Sequence, residues 1–167
     1  MLILPFINPN SLESLIKPIS QQVVTIKSNE YIEKEDFELY SPIKFEILSI
    51  LVNQVDKYCD FNEDQWEHSG YKMPGVSTFS NVKGFLCTLP EKYLFYLSPD
   101  DIEPTPYGTF VLEFNYNDKV ISLEIGKDKI GYYTKNINLI KPQSEGIDFD
   151  SNSLPQEILD AFDGMLS

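Results

Sequence analysis

The sequence predicts an α+β fold, in which helices pack on one face of a three- to four-stranded antiparallel β-meander. Three observations carry this prediction. Apolar residues between positions 42 and 89 recur at intervals of three and four, the period of amphipathic helices. Between positions 109 and 134 they recur at every second position, in runs separated by tight turns, which is typical of strands with one buried face. The chain has 167 residues, of which 42% are hydrophobic, so it can bury a core.

The organisation along the chain follows from these periods. We expect a single domain, 1–167, made of four consecutive segments. The first is an N-terminal segment with one plausible short strand at 21–27. It is followed by two helices, by the meander, and by an acidic loop with a short final helix. In order, the four segments are 1–40, 41–90, 91–140 and 141–167.

The first helix is predicted at 42–59. Ser41 is a suitable N-cap, and Pro42 occupies the first helical position, where the missing N–H of proline costs nothing. One side of this helix should therefore form a wall of the core. The apolar residues on that side are Ile47, Leu48, Leu51, Val52, Val55, Tyr58 and Cys59.

The second helix is predicted at 77–89, with Ser77 as its cap and Pro90 as its stop. Gly84 within it indicates close packing against a neighbouring element. The connection at 60–75 is predicted to be irregular. Trp66 lies in it, between the two amphipathic helices, so we expect its ring to anchor the gap where they meet.

The meander and the final helix complete the predicted elements. The alternating runs indicate strands with one buried face, joined by turns rich in Asn, Asp and Gly. The final helix has a capping box in Ser153 and Gln156, with Pro155 in its first turn. The strands are predicted at 109–114, 120–125 and 130–134, with a further strand at 93–97.

The charge limits the classes of partner. The chain carries 26 acidic residues against 13 basic ones, all of them lysine, for a net charge of -13. The phosphate backbone of nucleic acids rewards clustered Lys and Arg, so direct nucleic-acid binding is not expected. A basic protein is the expected partner, because complementary charge speeds association. We expect it to bind a face that includes four acids of the C-terminal segment, Asp148, Asp150, Asp160 and Asp163.

An acidic run in the connection between the two helices is the candidate metal site. It contains the only histidine of the chain, and carboxylates with an imidazole can hold a divalent cation. Its spacing matches no established metal-binding loop, so a solvated acidic connection between the helices is the favoured interpretation. No cofactor is expected. The candidate ligands are Asp60, Glu63, Asp64, Glu67 and His68.

The cysteine content and the N-terminal residues indicate the expected cellular location. Cys59 and Cys87 are too few for a disulfide framework, and both fall in apolar helical patterns that predict burial. The opening residues 1–5 lack a basic region and contain a proline, unlike a signal peptide. No apolar run approaches the roughly 18 residues that a membrane span needs. A cytoplasmic location without membrane association is therefore expected.

The stretch 66–133 carries a resemblance. Its marks are Trp66 and Gly70, then a helix ending at Leu89-Pro90, then Pro104-Thr105-Pro106-Tyr107-Gly108 before a hairpin. This resembles a loose group of small uncharacterised bacterial proteins with Trp-x-Gly, Leu-Pro and Pro-Thr-Pro-x-Gly elements. Three residues, not one, separate Trp66 from Gly70 here. The resemblance covers about 70 residues, implies a short soluble protein, and offers no catalytic residue to carry over.

Two classes of function stay open at this point. The first is a non-enzymatic protein-interaction module, such as an immunity or antitoxin-like protein of a bacterial mobile or defence locus. Its support is the small size and the acidity of the chain. The second is a metal-dependent hydrolytic enzyme that uses the acidic run at 60–68. A nucleic-acid mimic, whose spaced carboxylates imitate phosphates, is a further alternative.

Overall fold

A computed structural model describes residues 41–61, 63–151 and 153–167, apart from the side chains of Glu63, Glu67 and His68. The predicted strand at 21–27 lies outside the described residues. Within the described part, helices pack against an antiparallel β-meander, which confirms the α+β class. The sheet has five strands, so the predicted number of three to four is wrong.

The described elements alternate from helices to strands and back to a helix. The helices are α1 (Pro42–Cys59), α2 (Glu63–Ser69), α3 (Val76–Thr88), α4 (Glu91–Leu94) and α5 (Gln156–Leu166). The strands are β1 (Leu97–Pro104), β2 (Phe110–Tyr116), β3 (Lys119–Ile125), β4 (Lys129–Lys135) and β5 (Gln143–Asp148). They pair antiparallel in the order β1-β2-β3-β4-β5.

The core lies between one face of the sheet and the helices. Leu112 pairs with Leu123, which pairs with Tyr132, and all three are buried. Helix α1 packs on β1, and α3 and α5 pack on β3. The buried face is continued by Phe110, Phe114, Ile121, Ile125 and Ile130, each fully enclosed.

Helix α1 forms over the predicted range and for the predicted reason. The Ser41 hydroxyl accepts a hydrogen bond from the Lys44 N–H at 3.0 Å and donates one to Glu91 at 2.6 Å. The same side chain thereby caps α1 and ties it to α4. Leu48, Leu51, Val52 and Val55 are buried, whereas Ile47 and Tyr58 are half-buried. Cys59 is exposed and Cys87 half-buried, so the predicted burial of both thiols is wrong.

Two predictions about the segment after α1 need correction. The connection predicted as irregular contains the helix α2, and α3 begins at Val76 behind Gly75, which replaces Ser77 as the N-cap. Val76 is 84% exposed because it lies in the first turn, beyond the core. Asn81 is buried, and its amide donates to the carbonyls of Gly126 and Lys127, which fixes α3 against the β3–β4 turn.

Two predictions about strands also need correction. The strand predicted at 93–97 is wrong: Tyr93 belongs to the short helix α4, and β1 begins only at Leu97. The segment after Ile140, predicted as a loop, contains β5. Among the described strands it pairs with β4 alone, and most of its residues are exposed. Its sequence therefore shows no apolar alternation.

Helix α5 closes the core but starts differently from the prediction. Its N-cap is Pro155, and no side chain caps it, so the predicted capping box of Ser153 and Gln156 does not form. The ring of Phe162 stacks on Tyr93 at 4.6 Å and meets Phe114 edge-on at 4.8 Å. Lys119 donates to the carbonyls near the end of the helix. In the described part of the chain, no helix is long and apolar enough to cross a membrane.

Candidate functional site

The sheet has a second face, which none of the described helices covers. Side chains alternate along a strand, so the residues between the core positions point to this side. Val111 pairs with Glu124, and Glu113 pairs with Ser122, across β2 and β3. Glu113 and Glu124 are exposed, and Val111 and Ser122 are half-buried. We call this the open face.

A groove of about 170 Å³ runs across the open face, between β2 and β5. Drug-sized ligands occupy pockets of roughly 300–1,000 Å³, so this groove has room for a single side chain. Its polar character comes from two carboxylates and several hydroxyl and amide groups. Its lining includes Val111, Ser122, Glu124, Gly131, Tyr133 and Glu145.

An irregularity in the sheet shapes the groove. Gly131 lies opposite Glu124, and the pairing of β4 with β5 changes register just beside it. A Cβ atom at Gly131 would approach the carbonyl oxygen of Ser144 to 3.3 Å, so the backbone of β5 passes close to this glycine. The missing side chain therefore leaves the space next to Glu124 open.

The carboxylate of Glu124 is held in place from one side. The hydroxyl of Thr109 donates to its Oε1 atom at 2.5 Å, and the hydroxyl of Thr105 lies 2.6 Å from that of Thr109. Glu145, on β5, is exposed. Tyr133, which also lines the groove, is 52% exposed, so part of its ring is open to a ligand. Among the described residues, the lining contains two acids, two tyrosines and no lysine.

The four acids expected to bind a partner lie on two elements. Asp148 ends β5, the strand that carries Glu145, and forms an ion pair with Lys129. Asp150 follows two residues later and is exposed. Asp160 and Asp163 lie on α5, where Asp160 accepts a hydrogen bond from Gln156 at 2.8 Å. Asp148 thus belongs to the strand that borders the groove.

Asp163 has a structural partner, which the sequence did not reveal. Its carboxylate accepts hydrogen bonds from the Tyr93 hydroxyl at 2.5 Å and from the Lys92 ammonium at 3.0 Å. These two hydrogen bonds, Tyr93 first, lower the pKa of Asp163 below its ordinary value. Burial, followed by the hydrogen bond to Asp163, raises the pKa of Tyr93. The group joins α5 to α4.

The candidate metal ligands lie at the end of α1 and within α2. Asp60 caps α1 and is exposed, and Asp64 is exposed on α2. Glu63, Glu67 and His68 are helical, but their side chains lie outside the described residues. Among the side chains that the structure describes, no three His, Cys, Asp or Glu residues gather as a metal site would require.

Trp66 is enclosed where the sequence predicts an anchor. Its side chain is 3% exposed, and its ring lies 5.5 Å from that of Phe61 and 6.4 Å from that of Tyr58. The indole N–H is buried and has no hydrogen-bond partner. The ring therefore contributes apolar packing, whereas burial of its N–H without a partner among the described residues costs part of that stabilisation.

Both thiols are weak nucleophiles in this environment. Cys59 is exposed and Cys87 half-buried, but partial desolvation by neighbouring groups is still the main cause that raises the pKa of both thiols, and Lys83 and Lys44 respectively oppose it. A raised pKa keeps both groups protonated at neutral pH, and the thiolate is the nucleophilic form.

Sequence reasoning missed the groove. The same alternation that predicts the core face also places Val111, Glu124 and Tyr133 together on the opposite face, so that signal was available. The contribution of β5 to the groove could not be predicted from the sequence, because the residues of this strand show no apolar alternation. Comparisons with protein-family models, curated proteins and solved structures found no match to this chain. The function is therefore inferred from the geometry of the open face.

Proposed function

We propose that this chain is a small acidic protein-interaction module without catalytic activity. It binds a basic protein through the open face of its sheet and the acids that adjoin it. An immunity or antitoxin-like protein of a bacterial mobile or defence locus would act in this manner. Supporting this is the net charge of -13, which favours a basic partner and fast encounter.

The open face, which none of the described helices covers, carries this proposal. Glu113 and Glu124 are exposed on it, and Glu145 and Asp148 lie on the strand at its border. Two lysines of β4, Lys129 and Lys135, also lie on this side, and Lys129 forms an ion pair with Asp148. Antiparallel sheets commonly leave one face to solvent, so exposure alone is ordinary. The groove and its excess of carboxylates distinguish this face.

The test is a binding experiment on the full chain with reversed charges. We choose E113K/D148K/D150K, and leave Asp160 and Asp163 unchanged because both lie on α5, which packs on the other face of the sheet. The full chain is used to capture a partner from the native host at low salt. We expect a basic protein that is released at high salt, and the variant should associate with it at least about tenfold more slowly.

A matched variant separates this face from general acidity. E46K/D60K/D100K makes the same change in net charge at three exposed positions on α1, at its end and on β1. We expect it to slow association much less than the first variant. Equal slowing by both would show that net charge alone attracts the partner, and capture of no basic protein would contradict the proposed function.

A further inference from the structure

We propose that the groove on the open face receives one arginine side chain of the basic partner. This rests on the proposed function, since it names the group by which the partner is held. The volume of about 170 Å³ suits one side chain and is too small for a larger ligand. The proposal concerns the groove itself and not the acids on α5.

The carboxylates in the lining favour a positively charged ligand. Glu124 and Glu145 both line the groove, and none of the described lysines contributes to that lining. Thr109 donates to one oxygen of Glu124 and so orients the carboxylate before a ligand arrives. A fixed acceptor loses less side-chain entropy on binding than a mobile one.

The shape and the aromatic ring favour arginine over lysine. A guanidinium group is flat, has five N–H donors, and stacks on aromatic faces while it bonds to carboxylates. The ring of Tyr133 is half-exposed beside the space left open by Gly131. An ammonium group is compact and strongly hydrated, so it would gain less from the ring.

The experiment is an NMR titration of the full chain with a peptide. The backbone amide signals of the groove residues are monitored as the peptide is added. The probe is a capped Gly-Ser-Arg-Ser-Gly peptide, compared with the same peptide carrying lysine or citrulline. Citrulline keeps the shape of arginine without its charge. We expect saturable shifts at Ser122, Glu124, Gly131 and Ser144 with arginine, a weaker response with lysine, and no saturation with citrulline.

Substitutions then locate the site. E124Q and E145Q should each weaken binding of the arginine peptide by about three- to tenfold, because each removes one charge-assisted contact. Y133L should remove most of the preference for arginine over lysine. The matched control is E113Q, which removes the same charge on the same face but outside the lining. It should leave the affinity within about twofold. Thermal unfolding confirms that each variant is folded.

Three outcomes would overturn the groove assignment. They are shifts that spread over the surface without saturation, equal effects of E124Q and E113Q, and shifts caused by magnesium chloride but not by the peptide. If E113K/D148K/D150K slows partner association and E124Q/E145Q does not, the groove proposal fails and the proposed function stands. If the peptide saturates the groove but no basic protein is captured, the proposed function fails.

Discussion

Gly84 is the residue whose predicted role the structure explains most directly. A Cβ atom at this position would overlap the side chain of Ser151, in the segment between β5 and α5. Ser151 itself has a φ of 64°, an angle that favours glycine. The absence of a side chain in the middle of α3 therefore allows this segment to pass close to the helix.

Replacing Gly84 with alanine should destabilise the chain. In a chain that also carries S151G, the same replacement should instead be stabilising. Overpacking costs about 1–3 kcal/mol, and the better helix propensity of alanine offsets about 1 kcal/mol of it. In G84A/S151G the overlap is removed, so the double variant should be more stable than S151G alone. Urea unfolding of the four proteins tests this. Destabilisation by G84A that persists in the S151G background would contradict the assigned contact.

Trp66 should be an anchor by virtue of its ring alone. W66A should lower the free energy of unfolding by roughly 3–5 kcal/mol, as expected for a fully buried aromatic side chain. W66F should cost clearly less, because the indole N–H has no partner to lose. Circular dichroism should follow unfolding, since Trp66 is the only tryptophan and its fluorescence is lost in both variants. Unchanged stability in W66A would make it a surface residue.

Asp163 should give the chain a defined response to acid. Its pKa is lowered in the folded state, so the stability it contributes is fully present above its ordinary value of 3.8. That contribution is lost as the pH falls below this value through the lowered pKa. D163N should therefore be less stable than the unchanged chain at pH 7, and the difference should shrink towards pH 2.

The matched control for Asp163 is D160N, which removes the same charge from the same helix. Asp160 bonds to Gln156 on its own helix and does not join two elements. Urea midpoints at a series of pH values compare the two variants. A difference between D163N and the unchanged chain that stays constant from pH 7 to pH 2 would show that the lowered pKa contributes no stability.

Among the elements, those with strong local signals were predictable from the sequence. Helix α1 has a cap, a proline at its first position and a sustained apolar stripe, and it forms over the predicted range. Strands β2, β3 and β4 alternate cleanly, and their inward residues are buried as predicted. In these elements the periodicity records which side chains leave water, and that burial dominates their stability.

The elements that the sequence did not reveal lack such a signal. Helix α2 has seven residues, of which the buried Trp66 is the one large apolar side chain. Strand β5 has the sequence QSEGID and lies at the edge of the described sheet, where it pairs with β4. Helix α4 contains Tyr93 and Leu94, which extend an apolar run that also suits a strand. Tertiary contacts decide these three segments, and local preference does not.

In the described part of the chain, the two faces of the sheet differ in composition and surroundings. One face, with the helices, holds a core that includes Phe110, Leu123 and Phe162. The other presents Glu124, Glu145 and Tyr133 around a small groove. Because the groove residues contribute little to the core, substitutions there can alter binding while the fold persists. This separation makes the proposed function testable independently of stability.

The rate of association with the captured partner, measured against salt concentration, tests the central claim most directly. Charge attraction between exposed groups is screened over about 8 Å at physiological salt. We therefore expect the association rate to fall steeply as salt rises from low to physiological concentration. The dissociation rate should change much less, and E113K/D148K/D150K should make the association rate less dependent on salt. An association rate that ignores both salt and the three reversals would contradict capture through the acidic open face.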